Sequence, residues 1–210
     1  MELLYFHAGW LVGGQRDFQP WWSRWILDLM VKHGAIVVTA DHRLILEATC
    51  EDVLDDIHDV WDWTGKQPIW TSIPMLNSKG EFTDCSLLAV CAQQHGRILE
   101  LFGPEQDTIP GKCRMFPEDQ IIDGRKLPPT VIIHGVQDSI SHVERSDLFV
   151  EHLRKHNAID SLDHREGKEE ALTYFRLLGE HLFETELQLG EESANWVKDA
   201  AEFIEKNWLS

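Results

Sequence analysis

The sequence predicts an α/β fold with a mostly parallel sheet covered by helices on both faces. Short apolar runs of strand type recur along the 210 residues at 3–6, 35–40, 130–133 and 172–178. Segments with helical spacing of apolar residues lie between them, and Gly- or Pro-bearing stretches punctuate the joins. Strands that alternate with helices need crossover connections, which favour parallel pairing and leave helices on both sides of the sheet.

Leu3-Leu4-Tyr5-Phe6 reads as an opening strand ended by Ala8-Gly9. After Gly13-Gly14-Gln15-Arg16, Pro20 suits a first helical position, where its missing N–H is no loss. Trp22, Trp25, Ile26 and Leu29 then follow at helical spacing until Gly34. Ala35 to Ala40 reads as a strand buried on both faces, completing a β-α-β unit. Thr49 with Asp52 three residues on resembles a helix cap, and Val53, Leu54, Ile57, Val60 and Trp61 carry the period to about Trp63. Thr64 to Gln67 separate this helix from a strand-like run, Ile69 to Ile73. Leu87 to Phe102 reads as helix interrupted by Gly96, within a cap or lid insertion at about 77–126 of a single domain, 1–210. Thr130 to Ile133 is a buried strand, Val143 to His156 a helix, Leu172 to Leu178 a last strand. Trp196, Val197, Ala200, Phe203 and Ile204 line a closing helix.

Thirty-six acidic against 19 basic residues leave a net charge of −17, which repels phosphate backbones and anionic lipid surfaces. The longest basic groupings are Arg125-Lys126 and Arg154-Lys155, so nucleic acid is not an expected partner. No run approaches the ~18 apolar residues of a spanning helix, and no signal-peptide pattern opens the chain, so a cytoplasmic location is expected. Cys50, Cys85, Cys91 and Cys113 lack paired spacing and read as free thiols. Among the nine tryptophans, Trp21, Trp22 and Trp25 cluster on one expected helix as packing area, with an acyl pocket the sharper alternative.

In parallel sheets functional groups collect in loops after the carboxyl ends of strands. Three such loops stand out: His7-Ala8-Gly9-Trp10, His134-Gly135-Val136-Gln137-Asp138, and Gly179-Glu180-His181. An acid on one loop and a histidine on a later one match the Ser…Asp…His order of the α/β-hydrolase triad. The chain resembles the hormone-sensitive-lipase-like branch of the α/β-hydrolases, most closely its fungal members. Tyr5-Phe6-His7-Ala8-Gly9-Trp10 stands where that branch has its His-Gly-Gly-Gly loop. Asp41-His42-Arg43-Leu44 with Glu47-Ala48-Thr49 is similar to its Asp-Tyr-Arg-Leu-x-Pro-Glu segment, Leu46 replacing the proline. Leu127 to Ser139 resembles the strand that delivers the catalytic acid, and Gly179-Glu180-His181-Leu182-Phe183 looks like Gly-Asp-His-Gly-Phe.

The resemblance implies His181 as general base, Asp138 as its orienting acid, and Ala8 and Gly9 as backbone oxyanion donors, with His7 bracing the loop. Serine is a weak nucleophile without such a base, and the tetrahedral oxyanion needs preorganised N–H donors. An alanine in place of a loop glycine requires a negative φ at Ala8. The implied activity is hydrolysis of small, rather apolar esters or lactones, without cofactor or metal. Asp41 and Arg43 are expected to pair, and Glu47 to sit as an acid near a helix start. Cys91/His95 and His152/His156 fall four apart on expected helices, but a two-residue pair is common by chance and no zinc site is expected.

The nucleophile is missing. No Gly-x-Ser-x-Gly string occurs anywhere in the sequence. Ser72 and Ser78 lack small flanking residues, and Pro74 bars a sharp strand-to-helix turn at Ser72. Asp52 to Trp63 resembles the helix before the family's nucleophile strand, whereas Ile73-Pro74-Met75-Leu76 resembles the strand after its nucleophile helix. That unit needs on the order of 25 to 30 residues, which Thr64 to Gln67 cannot contain. Met1 likewise falls where the family already has earlier strands. Three explanations fit: a remnant without hydrolase activity, a coding sequence that has lost an exon, or a pocket remodelled for another use. Beside the esterase reading stand a non-catalytic binding or scaffold protein, and a lyase or isomerase in which His181 does acid–base work without a covalent step.

Overall fold

A computed structural model describes residues 2–45, 47–66, 117–159, 171–192 and 194–208. In chain order the elements are β1 (Glu2–Phe6), a short 3-10 turn (Gln19–Trp21), α1 (Arg24–His33), β2 (Ile36–Ala40) and α2 (Cys50–Lys66). α3 (Pro117–Ile122), β3 (Thr130–Gly135), α4 (Val143–Lys155), β4 (Leu172–Leu177) and α5 (Asn195–Trp208) follow. The strand expected at Ile69, the helix at Leu87, the cap from 77 to 116, and Cys91 with His95 lie outside the described residues.

Among the described strands pairing is parallel, as an alternation of strands and helices favours. β1 runs beside β2 from Glu2↔Ile36 to Phe6↔Ala40, and β3 beside β4 from Thr130↔Leu172 to Gly135↔Leu177. Among the described residues these are two separate two-stranded sheets. The chain divides into two compact units, one of residues 20–35 and 116–210, the other of 2–19 and 36–115.

In the first unit, side-chain alternation along β3 and β4 sends residues to opposite faces. Val131, Ile133 and Phe175 pack with Trp25 of α1 and with Val197 and Ala200 of α5. Ile132 and Tyr174 pack with Ile121 of α3 and with Val150 and Leu153 of α4. Helices therefore cover both faces of this sheet. Trp196 joins three aromatic neighbours, with ring centroids 6.0 Å from Trp25, 5.7 Å from Phe175 and 6.1 Å from Phe183. Trp25 is fully buried in this core, whereas Trp21 and Trp22, expected on the same helix, precede α1 and are partly exposed.

α1 stops where Gly34 turns left-handed (φ 57°). The N–H of Gly34 bonds Val31 O and that of Ala35 bonds Met30 O, which satisfies carbonyls the helix end would otherwise strand. Its start differs from expectation. Pro20 lies in the 3-10 turn and the helix begins at Arg24, after Ser23 as N-cap.

In the second unit, Val12, Ile45 and Val53 form the buried cluster. α2 starts with a reciprocal cap: Thr49 N–H donates to Asp52 Oδ2 at 2.8 Å and Asp52 N–H to Thr49 Oγ1 at 3.2 Å. The helix runs past Trp63 to Lys66, so most of the stretch read as a connector is helical. The Asp41–Arg43 pair is not formed. Asp41 meets Arg16 at 3.0 Å, while the Arg43 guanidinium forks onto Asp52 and Asp56 of α2. An arginine beside two carboxylates one helical turn apart can satisfy both, which a single neighbour on its own strand end cannot match.

Candidate active site

Two loops at the carboxyl ends of β3 and β4 converge because the strands are parallel neighbours. The ladder continues beyond them: Val136 N–H donates to Leu177 O at 2.7 Å and Gln137 N–H to Gly179 O at 3.0 Å. Two glycines permit this approach. A Cβ at Gly135 would stand 2.3 Å from Gly179 O, and one at Gly179 would stand 2.3 Å from the Phe183 ring.

Asp138 lies in the first loop, its side chain almost fully buried. Oδ1 accepts the N–H groups of Ile140 (2.9 Å) and Ser141 (2.7 Å), a turn in which the carboxylate imitates a backbone acceptor. Oδ2 lies 2.9 Å from Nδ1 of His181, in the second loop. Burial alone would raise the Asp138 pKa. The hydrogen bonds from His181, Ser141 and Ile140 outweigh it and hold the carboxyl below its ordinary value. A carboxylate can only accept, so His181 donates from Nδ1, and in the neutral ring Nε2 keeps the lone pair. That is the tautomer a general base needs.

His181 precedes Leu182, which takes a left-handed φ of 60°. Phe183 anchors the loop from below, its N–H on Glu180 O at 3.2 Å. Close to Asp138 is a further histidine to which the sequence reading gives no role. His134, near the end of β3, has Nε2 2.7 Å from Ser141 O and 3.6 Å from Asp138 Oδ2, and Nδ1 2.7 Å from Ser146 Oγ. Its only sequence signal is its place four residues before Asp138.

The loop after β1 belongs to the other unit. His7 is buried, with Nδ1 2.8 Å from Ala8 O, and stacks on His42 at 4.3 Å between ring centroids. Burial pushes its pKa down, and the neighbouring His42 adds to this while the Ala8 carbonyl opposes it. Gly9 (φ 118°), Trp10 (φ 53°) and Leu11 (φ 63°) take positive φ in succession, and Ala8 does not. The Gly9 carbonyl accepts the N–H groups of both Val12 and Gly13, closing a tight turn. The structure thus joins Asp138 with His181, and places His7, Ala8 and Gly9 in one strand-end loop. His152 and His156 have ring centroids 6.0 Å apart, and the described residues hold no cluster of three metal-ligating side chains. No helix among the described residues is long and apolar enough to cross a membrane.

Over 291 aligned residues the chain is 23% identical to a protein of Phoma sp. (strain ATCC 20986 / MF5453), covering 98% of this chain and 85% of the relative. A second relative, from Cochliobolus lunatus, is 38% identical over 56 residues, 25% of this chain and 23% of the relative. Both are named probable carboxylesterases. No family model matches the chain, and no solved structure does. The two likenesses support an esterase or hydrolase family for this chain.

Proposed function

We propose that the chain belongs by descent to the serine carboxylic-ester hydrolases of the hormone-sensitive-lipase-like α/β-hydrolase branch, a family reading whose substrate class is small apolar esters or lactones in fungal metabolism. Its nucleophile unit is missing between Trp63 and Ile69. The 2.9 Å hydrogen bond between Asp138 and His181 carries this reading, since it joins a buried carboxylate and an imidazole at adjacent parallel strand ends. With the missing unit restored, His181 Nε2 would take the proton of its serine hydroxyl as that attacks the ester carbonyl and return it to the leaving alcohol, and the same base would then activate the water that hydrolyses the acyl-enzyme. Asp138 holds the ring and stabilises the imidazolium. The family resemblance alone assigns the Ala8 and Gly9 N–H groups as oxyanion donors, a role that in acyl transfer contributes roughly 2.7–4 kcal/mol for one donor.

Two observations support a lost internal unit rather than a single substituted serine. The alignment with the Phoma relative extends over 291 residues although this chain has 210, so a substantial length of it faces gaps. α2 continues to Lys66, which leaves only Gln67 and Pro68 before the run at Ile69. The test is the genomic DNA across the Lys66–Pro68 junction. It is expected to hold coding sequence for a Gly-x-Ser-x-Gly turn whose inclusion yields nitrophenyl-ester hydrolysis lost in His181→Ala. Uninterrupted coding sequence would overturn this reading in favour of a non-catalytic binding protein on the old pocket.

A further inference from the structure

Resting on the acid–base reading of Asp138 and His181, we infer that His134 is a positioning residue that fixes the carboxylate to which His181 donates. The Ser141 carbonyl 2.7 Å from His134 Nε2 can only accept, so Nε2 carries the hydrogen. In the neutral ring Nδ1 is then the acceptor for the Ser146 hydroxyl at 2.7 Å, and both ring nitrogens are committed. β3 and α4 thus hold the imidazole from two sides. The Ser141 residue is in turn held at both ends, its N–H on Asp138 Oδ1 and its carbonyl on His134. Asp138 Oδ1 cannot swing without breaking a turn that His134 locks.

The second carboxylate oxygen feels the same ring. Oδ2 lies 3.6 Å from His134 Nε2 and 2.9 Å from His181 Nδ1, so the positive end of the His134 N–H dipole flanks the oxygen that receives the His181 proton. At 3.6 Å this is orientation and field, not a second hydrogen bond. Metal sites fix a ligating histidine through the partner of its other nitrogen; here the fixed group is the carboxylate, one step further out.

The test reads the pair directly in this chain and needs no turnover. In proton–nitrogen NMR the Nδ1–H of His181 gives a downfield resonance, assigned by its loss in His181→Asn. In His134→Leu its exchange with water is expected to accelerate roughly tenfold, the order of effect of losing one hydrogen bond that restrains a local opening. Ser146→Ala, which frees Nδ1 alone, should move it the same way by less. His134→Gln, whose side-chain amide can still donate to Ser141, should restore most of the protection. Unchanged exchange in folded His134→Leu and Ser146→Ala would overturn the inference. Asp138→Asn separates the two claims: if it leaves the resonance unmoved the acid–base reading fails, whereas if it abolishes the resonance and His134→Leu has no effect, only the role of His134 fails.

Discussion

Replacing Gly135 with alanine should damage the site without touching either of its charged residues. The added Cβ would lie 2.3 Å from the Gly179 carbonyl oxygen and 2.8 Å from its carbon, both backbone atoms that no side-chain rotation can move aside. Relief to an ordinary contact requires the β4 loop to retreat by about 1 Å, beyond what close-packed interiors absorb freely. That carbonyl also accepts the Gln137 N–H at 3.0 Å, so the same displacement strains the bond that ties the two loops. Overpacking of this kind costs about 1–3 kcal/mol, and the weakened hydrogen bond adds about 1 kcal/mol. The sum predicts a loss of roughly 2–4 kcal/mol. Urea denaturation should show it as a lower midpoint with unchanged slope, and the His181 Nδ1–H resonance should broaden or vanish as the 2.9 Å contact opens. A midpoint within about 0.5 kcal/mol of the wild type, the range of neutral substitutions, with the resonance intact would refute the close-approach argument.

Leu182→Gly should raise stability by about 0.5–1 kcal/mol in thermal or urea unfolding, because relief of a left-handed φ of 60° exceeds the entropy cost of glycine. A decrease would mean that the leucine side chain contributes more than the strain removes. Tyr174 is partly buried and donates to Asp147 Oδ1 at 2.9 Å, and its desolvation with that bond pushes its phenol up to about 12. Absorbance titration at alkaline pH should place this tyrosine near 12, and Asp147→Asn should lower it; titration near 10 would contradict the contact. Glu205 accepts from Lys32 and His33, each at 2.7 Å, and these bonds hold its carboxyl below the usual glutamate range. A depressed acid stabilises above its unfolded pKa and loses that contribution as pH falls through the folded one. Glu205→Gln should therefore melt below the wild type at neutral pH, with the gap closing under acid conditions. A constant gap would show that the charge plays no part.

What could be read from the sequence was local. The stop at Gly34, the Thr49–Asp52 cap and the strands at β3 and β4 follow from single residues or from short periods, and the structure has them at those places. The two-sided burial of the β3–β4 sheet follows from alternation in the same way. Less could be read where partner choice depends on three-dimensional neighbours. Arg43 takes Asp52 and Asp56 of α2 rather than Asp41, because the capped helix presents both carboxylates to it. The persistence of α2 through Gly65 to Lys66 runs against glycine's helix propensity. Left-handed backbone at Trp10, Leu11 and Leu182 has no residue-type signal, since glycine or asparagine normally marks such positions. In the candidate site, the order of the loops singles out Asp138 and His181, and the structure has them in hydrogen-bond contact. His134 is not singled out, because its partners are a carbonyl and a serine on the following helix, neither of which leaves a pattern in spacing.

Labelling with a fluorophosphonate probe, read by intact-protein mass spectrometry, tests most directly the claim that this chain holds the acid and base of an ester hydrolase without its nucleophile. The account predicts no adduct on the 210-residue chain under conditions that label a serine esterase to completion. A single stoichiometric adduct on a serine, abolished by His181→Ala, would contradict it.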